Sequence, residues 1–136
     1  MTTHDHLEDI VGSLRNKYKI RRYDLAHGYC DVFAAEVKRQ IPNSVIFESE
    51  FGNQIDGHYF VRIDGRFYDA QDTAGVTSID QLKYVRDFHG GVAAVRKCMR
   101  AGELDMTPVD IERWKGFGTV KPSFHRSYFV NGKPLQ

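Results

Sequence analysis

The chain has 136 residues, 41% hydrophobic and 27% charged, with a formal net charge of +1. That length suits one domain able to bury roughly two-thirds of its unfolded surface, and the even charge balance excludes a global field that would gather nucleic acid or anionic membrane. Two distant cysteines cannot make a disulfide framework, and no run approaches the about 18 apolar residues of a membrane span. The N-terminus, MTTHDHLEDIVGS, carries acids and lacks the apolar core of a signal peptide. The expectation is a soluble cytoplasmic protein, with delivery as an effector by a route that reads no cleavable signal left open.

Thr3 is expected to cap a first helix, along which Leu7, Ile10, Val11, Leu14 and Tyr18 recur at helical spacing. Arg15, Lys17, Lys19, Arg21 and Arg22 follow closely, and cations near a helix C-terminus read first as a solvated helix end and loop. A second helix is expected from about Tyr29 to Gln40, with Val32, Phe33 and Val37 inward and Pro42 as its stop. SVIFESEF (Ser44 to Phe51) is rich in β-formers and reads as a strand.

The segment GHYFVRIDGRFYDA then predicts a β-hairpin, because both positions of an Asp64-Gly65 turn favour positive φ. Counting outward from that turn pairs Ile63 with Arg66, Val61 with Tyr68, Phe60 with Asp69 and His58 with Gln71. Alternation puts His58, Phe60, Arg62, Phe67, Asp69 and Gln71 on one face, and Tyr59, Val61, Ile63, Tyr68 and Ala70 on the other. His58 and Asp69 become diagonal neighbours, close enough for a hydrogen bond. A one-residue slip would separate them.

Beyond the hairpin, Ser78 with Gln81 makes a capping-box pattern for a third helix marked by Ile79, Leu82 and Val85. Gly90-Gly91 precedes a fourth, VAAVRKCMRA, ended by Gly102. Thr107-Pro108 reads as the cap and first residue of a short fifth helix holding Ile111 and Trp114. The tail from Gly116 to Gln136 is expected to cover the core or frame a cleft. Helices, a small antiparallel sheet with a central Asp-Gly hairpin, and further helices give an α+β fold in one domain spanning 1–136.

Cys30 opens the second helix, where the first-turn amides and the helix dipole favour a thiolate. A thiolate needs a base, and the base needs an orienting group. His58 and Asp69 supply both types on one sheet face. The Cys30 amide is then one oxyanion donor, and Tyr29, Asn53 and Gln54 are unranked candidates for a second. The structural alternatives are a small buried cysteine and an ordinary core histidine. Other readings compete. His27 stands three residues before Cys30, a weak metal pair that His58 and Asp69 could complete, or else a rival base. Asp72 is a second acid, on the wrong face. Cys98 lies among basic residues with no assignable base, and His4, His6, His89 and His125 have no evident partner.

The order Gly28-x-Cys30, then His58, Asp64-Gly65 and Asp69, resembles the papain-like superfamily, most closely its transglutaminase-like, papain-fold toxin and effector deamidase members. The resemblance covers about Leu25 to Asp72. The hairpin strands are shorter than usual, and Phe60 stands where a Trp is common. It implies a papain-like core and thiol-dependent acyl transfer through a thioester: a cysteine peptidase, an amidase or a glutamine deamidase. Cys30, His58 and Asp69 would form the triad, with no metal or organic cofactor. The implied partner is a protein or peptide substrate carrying an amide, with no membrane role and nucleic acid an unfavoured partner. The rival is a non-catalytic interaction module on the same fold, with the basic cluster as a nucleic-acid patch.

Overall fold

The computed structural model describes residues 1–50, 57–102, 105–112, 116–119, 129–130 and 133–134. The first helix, α1, spans Thr3–Tyr18. Its cap is Thr2 rather than the expected Thr3: Thr2 Oγ1 accepts from the Asp5 amide at 3.1 Å, and Asp5 Oδ2 accepts from the Thr2 amide at 3.3 Å. The reciprocal pair needs an acid three residues after the cap, and Asp5 satisfies that spacing from Thr2. Leu7, Ile10, Val11 and Leu14 are buried as the periodicity requires.

A short helix α2, Arg22–Ala26, was not legible in the pattern. It leads into α3, Cys30–Gln40. Between them the Asp24 carbonyl accepts from the amides of His27 (3.2 Å) and Tyr29 (3.0 Å), with Gly28 at φ +101°. That backbone conformation is open to glycine and strained for residues with a Cβ. Gly28 therefore lets the chain double back tightly enough to begin α3 at Cys30.

Four antiparallel strands form one sheet in the order β3-β2-β1-β4. They are β1 Val45–Glu50, β2 His58–Ile63, β3 Arg66–Tyr68 and β4 Asp105–Pro108. The Asp64-Gly65 turn sits as read, with both residues at positive φ, and Ile63 pairs with Arg66 and Val61 with Tyr68. The ladder then stops. Phe60 with Asp69 and His58 with Gln71 are not ladder pairs, because the Asp69 carboxylate turns the chain by accepting from the amides of Gln71 and Asp72.

The expected fifth helix is corrected: Thr107 and Pro108 close an edge strand on β1, with Phe47 opposite Pro108. Proline is tolerated there because an edge position needs no inward donor. Trp114 lies outside the described residues, as does most of the tail. Two short pieces of that tail, β5 Phe129–Val130 and β6 Lys133–Pro134, pair with each other. The third expected helix is split into a 3₁₀ turn, Ile79–Gln81, and α4, Lys83–Arg86, with the Ser78–Gln81 capping box present. The fourth is α5, Gly91–Ala101, ended by Gly102.

The sheet buries both faces. Val61, Ile63, Tyr68 and Ala70 join α1 and α3 in one apolar cluster, while Phe47, Phe60, Ile79, Leu82, Val85 and Val95 form a second. The predicted alternation thus holds, and the architecture is α+β. No helix among the described residues is long and apolar enough to cross a membrane.

Two glycines give opposite tests of this backbone. Gly12 lies within α1 with open space where a Cβ would go. Gly12→Ala should raise the urea midpoint, worth about 0.5–1 kcal/mol. Gly28→Ala should lower it by about 1–3 kcal/mol.

Candidate active site

His58 is completely buried and Asp69 is 1% exposed. The imidazole Nε2 bonds Asp69 Oδ2 at 3.0 Å. The other carboxylate oxygen, Oδ1, accepts from the amides of Gln71 (3.0 Å) and Asp72 (2.9 Å). Asp69 is thus fully engaged on one side by backbone and on the other by the ring. A carboxylate at Nε2 assigns the ring proton to that nitrogen. Nδ1 is then the nitrogen left to gain or lose a proton, and it makes no hydrogen bond among the described residues.

The Cys30 thiol is the other group acting on His58. Burial, the largest influence, disfavours the imidazolium. The hydrogen bond to Asp69, then the interaction with Cys30 and the charges of both, outweighs it and raises His58 to about 9. Cys30 itself is partly exposed at the first position of α3. Its amide has no acceptor within the helix, by the geometry of any first turn.

The structure joins His58 to Asp69 by a hydrogen bond, as the hairpin register implies, and leaves Cys30 within interacting range of His58. It does not supply a second oxyanion donor. The Tyr29 amide is spent on the Asp24 carbonyl, and its ring is fully buried in the helix-side core. Asn53 and Gln54 lie outside the described residues.

Tyr84 was missed. Its ring, 7% exposed, stacks on His58 with centroids 3.8 Å apart and planes 6° from parallel. It covers one whole face of the imidazole and excludes water from it. Tyr84 is placed by Asp72, whose Oδ2 accepts from the Lys83 amide at 2.7 Å at the start of α4. Burial raises the Asp72 pKa although that bond opposes the shift. Asp72 is therefore a helix-capping group and not a rival acid. Its own amide is held by Asp69, so a single turn positions His58, α4 and Tyr84 together.

His27 continues the stack. Its ring lies 4.9 Å from Tyr84 and 3.9 Å from Tyr23, and its Nδ1 is bonded to the Tyr23 carbonyl at 2.9 Å. Burial pushes its pKa down, and the nearby His58 pushes the same way. A neutral His27 with one nitrogen committed is a packing element beside the site. Among the described residues no three His, Cys, Asp or Glu side chains converge to hold a metal.

Of the remaining candidates, His4 and His6 have side-chain partners. His4 Nδ1 meets Thr73 Oγ1 at 3.1 Å, and His6 Nε2 meets Gln40 Oε1 at 2.8 Å. Cys98 is half-buried on α5, and His89 is exposed. In the basic cluster, Arg21 forks onto Asp24, while Arg22 pairs with Glu8 and donates to the Ala70 carbonyl. His125 lies outside the described residues.

No family model matches the chain, and no curated protein or solved structure is significantly similar to it.

The raised His58 pKa fixes a sign. The ordinary value is 6.5 and the folded value about 9, so the folded state holds the extra proton between them. Stability from His58 is therefore fully present below pH 6.5 and is lost as pH rises towards 9. The slope is at most about 1.4 kcal/mol per pH unit for one proton. Urea unfolding from pH 6 to 9.5 should show a decline in the native protein that is absent in His58→Gln.

Proposed function

We propose that the protein is a thiol-dependent acyl-transfer enzyme with a papain-like core, in which Cys30 is the nucleophile, His58 the base and Asp69 the orienting acid. The observation that carries this reading is the arrangement of one buried imidazole. It is anchored through Nε2 to a fully satisfied carboxylate, with Nδ1 available and a helix-terminal thiol as its other partner.

The chemistry follows from that arrangement. The thiolate sulfur of Cys30 attacks the carbonyl carbon of an amide, forming a C–S bond and an oxyanion. The Cys30 amide, at the start of α3, stabilises that charge. As the C–N bond breaks, the imidazolium Nδ1–H gives its proton to the leaving nitrogen. Water then attacks the thioester, and Nδ1 takes one of its protons. The C–S bond breaks, and thiolate and imidazolium are restored. The Nε2–H stays with Asp69 throughout, as an orienting partner and not as a second proton relay. Tyr84 keeps water off the imidazole face, which strengthens both of its polar interactions. Neither a metal nor an organic cofactor has a step to perform. The substrate is a protein or peptide bearing an accessible amide, as in a peptidase, an amidase or a glutamine deamidase. The setting is cytoplasmic, whether in the producing cell or after delivery as an effector.

The alternative, an interaction module with a basic nucleic-acid patch, is weakened by the two arginines already spent on Glu8 and Asp24.

Acylation by p-nitrophenyl acetate, followed by intact and peptide mass, tests the proposal. One acetyl group should appear on Cys30 and none on Cys98. Cys30→Ala should abolish it, and His58→Ala should slow it about 10²–10⁴-fold. Equal acetylation of the two cysteines, or no effect of His58→Ala, would overturn the proposal.

A further inference from the structure

Four rings follow one another from the surface to the buried imidazole. Tyr23 is 51% exposed and stacks on His27, with centroids 3.9 Å apart and planes 10° from parallel. His27 packs on Tyr84 at 4.9 Å and 32°. Tyr84 lies flat on His58 at 3.8 Å. Tyr84 therefore touches two imidazoles. The outer one is fixed at two points, because the His27 amide and its Nδ1 both meet the Tyr23 carbonyl, each at 2.9 Å. A carbonyl only accepts, so Nδ1 carries the proton of the neutral His27 ring, and a second proton can enter only at Nε2.

That second proton would set a cation one ring away from His58, which Asp69 already holds as imidazolium. Tyrosine faces attract a cation, but two cations against one ring repel, and a half-buried place screens them weakly. The titratable groups acting on His27 are Tyr23 of α2, Tyr84 of α4 and Asp87 at its end, His58 of β2 and Asp69 beyond β3. Asp87 is paired with Lys83 at 3.0 Å, and Arg21 lies over the Tyr23 ring. Burial first, with the His58 charge, lowers the His27 pKa below its ordinary 6.5, against the Tyr23 carbonyl and the two carboxylates. His58 stays protonated throughout that acid range.

We infer that His27 is a positioning residue for His58: as a neutral ring it closes the stack that holds Tyr84 flat on the imidazole, and as a cation it pushes that stack apart. The inference rests on the proposed role of His58 as the base. It gives the reaction an acid limit set by a residue outside the triad.

Proton NMR of the intact protein tests it, following the imidazole Cε1–H resonances from about pH 4.5 to 8, the range in which histidines titrate. The His27 and His58 signals are assigned from their contacts to the Tyr23 and Tyr84 rings. The Tyr84 ring current keeps the His58 proton upfield, and that proton should step downfield at the His27 midpoint. The step should vanish in His27→Phe, which keeps a flat ring without a titrating nitrogen. By reciprocity, His58→Gln should raise the His27 midpoint by about half a pH unit or more, a threefold change in proton affinity. Iodoacetamide alkylation of Cys30, with Cys98 as control, should slow at least about threefold below the same midpoint, and His27→Phe should remove that acid limb. A His58 resonance that does not move across the His27 titration would overturn the inference, and the native protein alone decides this if a variant fails to fold. A step that persists in His27→Phe would overturn it as well. If the His58 step is present but Cys30 alkylation is independent of His58, the proposed nucleophile and base fail as a pair while the coupling of His27 to His58 stands.

Discussion

The Asp69 carboxylate is the constraint on which the site is built. A buried carboxylate is tolerated only when its lone pairs are met. Here two backbone amides take Oδ1 and an imidazole takes Oδ2. The amides bend the chain out of β3, and the bend carries Asp72 to the start of α4. From there Tyr84 reaches the face of His58. Removing the acid would not cost one hydrogen bond. It would leave a buried imidazole without its partner and loosen the turn that sets α4.

The rest of the fold delivers the thiol to that imidazole. The Asp24 carbonyl and Gly28 make the tight return between α2 and α3, so α3 begins at Cys30. Its far end is fixed by Lys38, which donates to the carbonyls of Pro42 and Ser44. Near its start Asp31 accepts from the Gly118 amide at 2.9 Å, tying residues 116–119 to the helix that Cys30 opens. Arg22 links Glu8 of α1 to the Ala70 carbonyl, one residue beyond Asp69. Charges that resemble a surface patch in the sequence are thus bracing the turn. Each such contact is worth little alone, but together they hold thiol and imidazole elements in one relation.

Legibility followed the range of the interactions involved. The hairpin register was readable because Asp64-Gly65 favours one turn and alternation propagates from it. The stripes of α1 and α3 were readable because burial repeats at the helical period. Five-residue α2 is too short for any period to show. Thr107-Pro108 carries the local chemistry of a helix start, yet pairing with β1 at a sheet edge wins. Tyr84 could not be found locally, because stacking on His58 is a contact between distant segments. The Asp69 turn left a faint trace: an acid followed by two residues with free amides is an Asx-turn pattern. Reading it would have ended β3 at Tyr68 and given Asp72 its capping role.

The central claim is that Cys30 and His58 share one proton as thiolate and imidazolium near neutrality. The pH dependence of iodoacetamide alkylation, resolved by peptide mass for Cys30 and Cys98, tests it most directly. The account predicts that Cys30 reacts rapidly and at a nearly level rate well below pH 8, and that His58→Ala returns its onset to about 8.5, the range of an ordinary thiol. Cys30 and Cys98 rising together near pH 8.5 in the native protein would contradict it.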